Sequence, residues 1–461
     1  MTSSSEWPVA VAPVGPVAMG SLLWRAHGKL NAAVFVKASF ALVPDGAMAP
    51  VEPQAIERFD RYPQNNPIAS LEAVCEALPV LPEVDVLLYG HAHAPPGPNG
   101  SVTVAQSVAR LSLLRDGAPL IDKSILVYGD RRGGGAPEPF QRIPIGYDRA
   151  LGGIGFADNP IGVGADPSQS GMPNFVDLRA PEERVACFGP IPPSFPARRQ
   201  LLGSFGRHQL SQPVVEIPDD LDWRYFQSAP EEQRIEQLRG DETLLLEGVT
   251  EGVATIRTVL PSAQALLRIY PRDGGDAAEP IQMRPDLVQI NTNRMVCTIV
   301  WRASIPLGSE AQAGTMVVAG ALELPGQGAR WPASAVELRI DDGGSSAPGA
   351  PSRSDLPLTD ATVLMGDLGG VALPPPPPVP GSAAELEGTY VLTDGQAAAA
   401  AARPMAPFAL SRPAPAPDDE ALARTFPGAP WGKRKSTPDP RPLPPRDADT
   451  VSVDLELPAE D

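Results

Sequence analysis

Cysteine and histidine are scarce in this sequence, which holds three Cys and four His among 461 residues. Cys75, Cys187 and Cys297 are far apart and odd in number, so we expect neither a disulfide framework nor a zinc knuckle. No apolar run approaches the roughly 18 to 20 residues that a membrane span needs. The N-terminal segment lacks a basic stretch and prolines interrupt it, which is untypical of a signal peptide. These absences predict a soluble protein of a reducing compartment, the cytoplasm.

Basic residues are also too few to predict a nucleic-acid-binding face. The chain has 37 Lys and Arg against 55 Asp and Glu, which gives a formal net charge of −18. Neutralising phosphates requires a basic footprint, and attraction to anionic lipid requires basic clusters. The short basic cluster at 433–435 does not change this balance. We therefore expect neither a nucleic-acid partner nor a membrane partner.

Proline is abundant, with 57 residues, and it becomes dense beyond residue 343. Residues 344–461 contain a proline run at 374–378, an alanine run at 397–402 and short apolar islands, a composition typical of disorder. We predict a flexible segment 1–19, a folded body 20–343 and a disordered tail 344–461. The apolar islands of the tail could bind a second protein.

Short apolar runs, rich in β-branched residues and separated by turn signals, dominate the body. In the run 33–43, for example, Val34, Val36 and Ala38 fall on one face of an alternating pattern, which is typical of a strand. The predicted strands cover residues 33–43, 84–89, 102–114, 121–128, 253–260, 265–270, 288–301 and 315–324. We predict a mainly β fold with two sandwich-like antiparallel lobes, 20–130 and 240–343, joined by the loop-rich segment 131–239.

Helix signals are few, and the middle of the chain shows no clear periodicity. Residues 229–238 follow Ser228, an acceptable N-cap, and carry Pro230 in the first turn and Gly240 just beyond the end. A weaker helix signal covers 68–77. The Gly- and Pro-rich stretch 130–225 repeats large apolar residues, which we interpret as anchors that hold long ordered loops on the scaffold. These anchors are Phe140, Ile143, Ile145, Tyr147, Ile154, Phe156, Phe175 and Phe188.

His91 and His93 form the one close histidine pair in the sequence. On a strand, residues i and i+2 face the same way, so both imidazoles could reach one metal ion. The alternative is a strand end that enters a turn, with both rings hydrogen-bonded to the backbone.

The glycine clusters at 152–155 and 162–164 lack the Lys-Ser/Thr of a phosphate-binding loop and are better explained as turns. The residues alone therefore show no catalytic centre and call for no cofactor.

The segment 218–249 combines acidic and aromatic residues. Asp222 and Trp223 are followed by Phe226, and a charged stretch then leads into an apolar run. Exposed, such a cluster would suit partner recognition, since aromatic residues dominate binding hot spots. Alternatively, Trp223 and Phe226 fasten this segment onto the sheet. Both interpretations stay open at this point.

Ten blocks of the sequence, in consistent order, resemble the domain-of-unknown-function 2169 (DUF2169) family. They span roughly residues 20 to 306 and read FVKASFALVPDG (35–46), DVLLYGHAHAPPG (85–97), KSILVYGDR (123–131), PFQRIPIGYDRALGG (139–153), NPIGVG (159–164), MPNF (172–175), FGPIPPSFPARR (188–199), DLDWRYFQSAPEEQR (220–234), LRGDE (238–242) and VWRASIP (300–306). The resemblance implies a non-enzymatic adaptor or chaperone that binds a type VI secretion toxin effector. Such proteins are thought to help load the effector on the VgrG spike, often through a PAAR-like domain of the effector.

The family supplies no agreed catalytic residues, so none is carried over to this chain. We expect the loops 130–200 and the segment 218–242 to face the effector. Two alternatives remain: a metal-dependent hydrolase that uses His91 and His93, and a structural subunit of the secretion machine. The candidate partner-binding residues are Arg142, Tyr147, Arg149, Phe156, Asp222, Trp223, Phe226, Arg239 and Asp241.

Overall fold

A computed structural model describes residues 7–97, 102–131, 135–165, 171–177, 179–180 and 183–340. Over these ranges the chain is mainly β with few helices, as the sequence predicts. The predicted tail 344–461 lies outside the described residues. No helix in the described part of the chain is long and apolar enough to cross a membrane.

The elements follow one another with short turns and long irregular segments between them. The strands are β1 (Ala10–Val14), β2 (Ala18–Ala26), β3 (Lys29–Ala41), β4 (Ala49–Val51), β5 (Val84–Tyr89), β6 (His91–His93), β7 (Gln106–Arg115), β8 (Ala118–Tyr128), β9 (Arg142–Pro144), β10 (Leu151–Gly152), β11 (Val163–Gly164), β12 (Phe175–Val176), β13 (Val214–Ile217), β14 (Arg234–Ile235), β15 (Thr243–Thr250), β16 (Val253–Val259), β17 (Gln264–Pro271), β18 (Ile281–Gln282), β19 (Arg284–Asn291), β20 (Val296–Leu307) and β21 (Met316–Glu323). The α-helices are α1 (Pro196–Arg199) and α2 (Glu310–Ala313). Single 3₁₀ turns cover Pro63–Asn65, Tyr147–Arg149, Arg207–Ser211, Trp223–Phe226, Glu231–Gln233 and Ala335–Glu337.

Three sheets carry most of these strands. The main sheet has the order β13-β2-β3-β20-β19-β5-β14, with β4 added to β3. A five-stranded sheet has the order β12-β8-β7-β15-β16, and a four-stranded sheet has the order β1-β21-β17-β18. Most pairs are antiparallel, but β13 with β2, β5 with β19, β1 with β21 and β10 with β11 are parallel. The pairs β6-β9 and β10-β11 form two small sheets.

The sheets pack in sandwich-like layers, but the layers do not follow the predicted lobes 20–130 and 240–343. Strand β3 pairs with β20 and β7 pairs with β15, so each large sheet joins strands from both ranges. Residues 10–14, which fall in the predicted flexible segment 1–19, instead form β1 and pair with β21. The two lobes therefore form one interleaved core.

The core lies on both faces of the main sheet. One face of β3, which includes Val34, Val36 and Phe40, packs on apolar residues of the five-stranded and four-stranded sheets. The opposite face, which includes Phe35, is covered by irregular segments around 71–81 and 201–229. Because both faces are buried, the strand reads as a nearly continuous apolar run rather than a strict alternation.

Lys37 interrupts that run, and its partner explains why. The Lys37 ammonium lies 2.6 Å from Oε1 of Glu76, and both side chains are buried. Arg302 and Asp286 form a second buried pair, 2.6 Å apart. A buried charge needs a hydrogen-bonded partner. Arg302 also donates from Nη1 to the carbonyl oxygen of Glu76 at 3.1 Å, so this contact and the Lys37–Glu76 pair fix the irregular segment that contains Glu76 onto the main sheet.

Three local predictions were wrong. Residues 68–77 contain no helix and run as an irregular segment, in which the backbone N–H of Cys75 donates to Asp60. Residues 229–238 contain only one 3₁₀ turn, Glu231–Gln233, because Arg234 and Ile235 after it form β14 and pair with β5. Residues 288–301 form the hairpin β19–β20, not one strand.

Candidate partner-binding surface

Asn159 anchors the glycine-rich loop that follows β9. Its side chain is buried, and its Nδ2 donates to the carbonyl oxygens of Tyr147 and Leu151, at 2.8 and 2.9 Å. Glycine is required around it, since a Cβ at Gly152 would stand 2.1 Å from the Asn159 carbonyl oxygen. These contacts order a loop that has almost no regular secondary structure.

Ile154 protrudes from this loop. Its side chain is 82% exposed, the largest exposure among the big apolar residues of the stretch 135–177 that are described. Gly153 and Gly155 flank it with φ values of 144° and 86°, a conformation that favours glycine. Phe156 is half-buried and Met172 is 38% exposed. We define Ile154, Phe156 and Met172 as the loop surface.

The eight residues predicted to anchor the loops lie in different environments. Phe140, Ile143, Tyr147, Phe175 and Phe188 are buried in the core clusters. Ile145 is half-buried against the core, whereas Ile154 points to solvent. The prediction that Ile154 anchors the loop is therefore wrong. The glycines on both sides of Ile154 were the local signal of its exposure, because positive φ values before and after a residue can direct its side chain outward.

Tyr147 is an anchor and not a contact residue. Its ring is 3% exposed and packs edge-on against Phe195, with ring centroids 5.5 Å apart. Burial raises the pKa of its hydroxyl well above the ordinary value. A partner cannot reach this ring in the arrangement described, so the burial of Tyr147 does not support its predicted role in partner binding.

Arg149 joins three of the sequence blocks. Its Nη1 lies 3.4 Å from Oδ1 of Asp130 and 3.3 Å from Oδ1 of Asn174, and the Asn174 amide also donates to Asp130 at 3.0 Å. A cleft of about 150 Å³ opens beside this group, with Phe140 and Arg142 in its wall. Arg142 lies on β9 and is exposed. The structure thus brings two of the predicted partner-binding residues, Arg142 and Arg149, to one cleft.

Most of the distinctive side chains of the segment 218–242 are engaged by one another or by the rest of the fold. Phe226 is 1% exposed, and Trp223 packs edge-on against Trp24 with ring centroids 5.6 Å apart. Asp222 caps a 3₁₀ turn by accepting from the backbone N–H of Arg224 at 3.0 Å. Trp223 and Phe226 therefore fasten this segment onto the rest of the fold, and Phe226 is inaccessible to a partner.

Arg239 and Asp241 form an exposed turn whose shape is set from below. Their side chains pair at 2.7 Å, and Arg239 also reaches Asp116 at 3.0 Å. Beneath them, the buried carboxylate of Glu242 accepts hydrogen bonds from the backbone N–H groups of Arg239 and Gly240. Gly240 has a φ of 95° and belongs to this turn instead of ending a helix. The charges of the turn are largely satisfied within it.

His91 and His93 lie on β6, with ring centroids 6.0 Å apart. Nδ1 of His91 lies 3.0 Å from Oδ1 of Asn293. Burial, with the neighbouring His91 as a second cause, lowers the pKa of His93. Among the described residues, no group of three or more His, Cys, Asp and Glu is placed to hold a metal ion. A catalytic metal site needs three protein ligands, and the described part of the chain supplies no third ligand of these types to the pair.

Comparison with known families identifies the family of the chain. The sequence model of a family described as an uncharacterized protein conserved in bacteria (DUF2169) matches residues 27–302. The chain belongs to the DUF2169 family. No curated protein and no solved structure matches it.

The DUF2169 match includes the loop surface, the Arg142–Arg149 cleft, the histidine pair and the segment 218–242. It excludes β1, β21 and everything beyond residue 302. Strands β1 and β21 nevertheless pair with each other and contribute buried residues to the core. The folded body of this DUF2169 protein thus extends beyond the matched range at both ends.

Proposed function

We propose that this DUF2169 protein is a non-enzymatic, cytoplasmic adaptor that binds a type VI secretion toxin effector. In this proposal it helps to load the effector on the VgrG spike, together with PAAR-like components. The support comes from the ten sequence blocks that resemble such adaptors and from the exposed apolar loop surface. Apolar residues presented on an ordered loop suit reversible binding of another protein.

Ile154 is the observation that carries the proposal. An isoleucine that is 82% exposed contributes nothing to the core of its own chain. Burying it on a partner would contribute about 1.5 to 3 kcal/mol, a large part of the energy of a hot spot. The ordered backbone around it reduces the entropy lost on binding.

The charge of the chain supports a basic cargo. A formal net charge of −18 speeds the encounter with a positively charged partner and repels other acidic proteins. Such steering acts mainly on the association rate, so it is compatible with the release that loading requires. We therefore expect recovery of the cargo to fall as the salt concentration rises.

The test is co-purification from the native cytoplasm with a tagged full-length chain, with partners identified by mass spectrometry. We expect one dominant toxin-like protein that carries a spike-tip domain. Substituting Ile154→Asp should reduce its recovery at least tenfold, because a charge would replace the apolar contact. Val336→Asp is the matched control, since Val336 is 93% exposed but lies outside the loop surface.

Two results would contradict the proposal. Equal recovery of the cargo with Ile154→Asp and with the unchanged chain would remove the loop surface from it. Finding the chain itself in assembled secretion particles would instead favour the structural-subunit alternative, because an adaptor should stay in the cytoplasm after loading.

A further inference from the structure

Strand β16 is the longest of the strands that lie at the ends of the three large sheets. It has seven residues, whereas β12, β14 and β18 have two each and β13 has four. The remaining end strand, β1, has five residues, and Pro13 is one of them. Short length and proline are common ways to protect an edge from pairing with another chain. The edge of β16 has neither protection.

The C-terminal half of this edge already carries an added segment of the chain. The backbone N–H of Asp45 donates to the carbonyl oxygen of Arg257 at 2.7 Å. The backbone N–H of Met48 donates to the carbonyl oxygen of Val259 at 2.9 Å. Residues 45–48 therefore run along the end of β16, and they show that its outer backbone groups can bind an extended chain.

The N-terminal half of the edge has unused backbone groups. The bonds from residues 45–48 show that the backbone groups of Arg257 and Val259 point away from β15. This direction alternates along a strand, and the register of β15 with β16 is regular from Thr255 to Val259. The N–H and C=O of Thr255 and the N–H of Arg257 therefore point outward. No segment within the described ranges pairs with them.

The side chains along this half suit an extended segment that carries basic residues. Thr255 and Arg257 are exposed, and Val253 is 39% exposed, which offers an apolar contact. Asp45 and Glu251 lie beyond the two ends of the open half; both are exposed, and neither carboxylate has a bonded partner in the part of the chain described. Two carboxylates outnumber the one guanidinium of Arg257. Opposite charges on paired strands stabilise a sheet, so a segment with a basic residue near each end fits this edge.

A second copy of the chain fits the same edge poorly. It carries the same formal net charge of −18, so the two copies repel each other. The segment 45–48 also limits the open stretch to residues 253–256, which span roughly 13 Å. A stretch of that length is far shorter than a stable dimer interface requires. The charge and the length both favour a basic segment of a different protein.

We propose that the edge of β16 at residues 253–257 binds an extended basic segment of the cargo, which adds to the five-stranded sheet as a further strand. The backbone groups of Thr255 and Arg257 supply the hydrogen bonds, as in other cases of strand addition. Glu251 and Asp45 pair with the basic residues of the segment. This inference rests on the proposed adaptor function, since it names the surface and the kind of cargo segment.

The test uses a fluorescein-labelled peptide of seven residues, with lysine at each end and alternating threonine and valine between, and measures its binding to the full-length chain by fluorescence anisotropy. Thr255→Pro removes the outward N–H and leaves the pairing with β15 intact, because proline is tolerated on an edge strand where its nitrogen faces solvent. We expect it to weaken binding at least tenfold. Thr255→Val is the matched control, which keeps the N–H and should change binding less than twofold.

Glu251→Lys tests the charge part of the proposal without any change to the backbone. It should weaken binding of the lysine peptide at least threefold, and this variant decides the outcome if urea unfolding shows that Thr255→Pro has lost its fold. A counterpart peptide with glutamate at each end should bind at least tenfold more weakly to the unchanged chain. Equal binding of the lysine peptide by the unchanged chain and by a folded Thr255→Pro variant would overturn the proposal. So would equal binding of the two peptides, or an unchanged affinity in Glu251→Lys.

Co-purification of the cargo separates this proposal from the proposed function. Recovery of the toxin-like protein that falls with Ile154→Asp but not with Thr255→Pro would overturn the assignment of the edge and leave the adaptor function standing. Failure to recover any such protein with the unchanged chain would overturn the adaptor function. Peptide binding that is lost in Thr255→Pro would still establish the edge of β16 as a site for a basic strand.

Discussion

Asp85 fixes the turn at residues 227–229 onto β5. Its buried carboxylate accepts from Nε2 of Gln227 at 2.6 Å, from the backbone N–H and hydroxyl of Ser228 at 2.5 and 3.0 Å, and from the backbone N–H of Ala229 at 3.0 Å. Asp85→Ala leaves all four donors without this acceptor. The two side-chain donors can turn towards other groups, but the two backbone N–H groups cannot.

The magnitude follows from those two backbone donors. Each buried donor left unsatisfied costs about 1 to 3 kcal/mol, so we expect Asp85→Ala to lower the free energy of unfolding by about 4 kcal/mol. For a folded body of about 330 residues, with an unfolding entropy of about 2.1 cal/mol/K per residue, that corresponds to a fall in Tm of roughly 6 °C. Urea unfolding of the full chain, followed by tryptophan fluorescence, measures the change directly.

The control is Asp219→Ala. The Asp219 side chain is 82% exposed and pairs with His27, which is 71% exposed, so its loss should change stability by less than about 0.5 kcal/mol. If Asp85→Ala unfolds within about 1 kcal/mol of the unchanged chain, the carboxylate does not hold the 227–229 turn.

Two further predictions concern the loop anchor and the histidine pair. Gly152→Ala places a Cβ 2.1 Å from the Asn159 carbonyl oxygen and should lower the free energy of unfolding, measured with urea, by about 1 to 3 kcal/mol. Gly171→Ala is the control and should leave the free energy of unfolding nearly unchanged, since the nearest contact of its Cβ is at 3.4 Å. Burial lowers the pKa of His93 in the folded chain, so its contribution to stability is complete above about pH 6.5 and is lost as the pH falls. The fall in Tm between pH 8 and pH 5.5 should therefore be smaller in His93→Gln than in the unchanged chain, and an equal fall would contradict this sign.

Strands were predictable where burial and local pattern agree. The predicted strand 84–89 coincides with β5, because its apolar run is bounded by turns on both sides. The hairpin β19–β20 was missed, since its turn contains neither Gly nor Pro and depends on Met295 at a φ of 53°. Asn, Thr and Arg in that turn do not break the apolar pattern strongly enough to divide one run into two strands.

The helix predicted at 229–238 failed for a different reason. Its start signals are genuine, since Pro230 and the acidic residues after it do begin a 3₁₀ turn. The turn does not continue, because Arg234 and Ile235 after it pair with β5. The Gln233 side chain donates to the carbonyl oxygens of Val86 and Phe188 and accepts from Lys123. These partners lie 45 to 147 residues away in the chain. A local pattern has no access to contacts of that range.

The same limit separates the two segments that the sequence assigned to partner binding. A stretch dense in acidic, basic and aromatic residues predicts a recognition surface only when those groups lack partners within the fold. In the segment 218–242, Asp222 and Asp241 are engaged by Arg224 and Arg239, and Phe226 is buried. On the glycine-rich loop and its neighbouring cleft, Ile154 is exposed and Arg142 has no bonded partner among the described residues. Unused binding capacity, rather than density of charged and aromatic residues, therefore directs the search for the partner to the loop surface and the Arg142–Arg149 cleft.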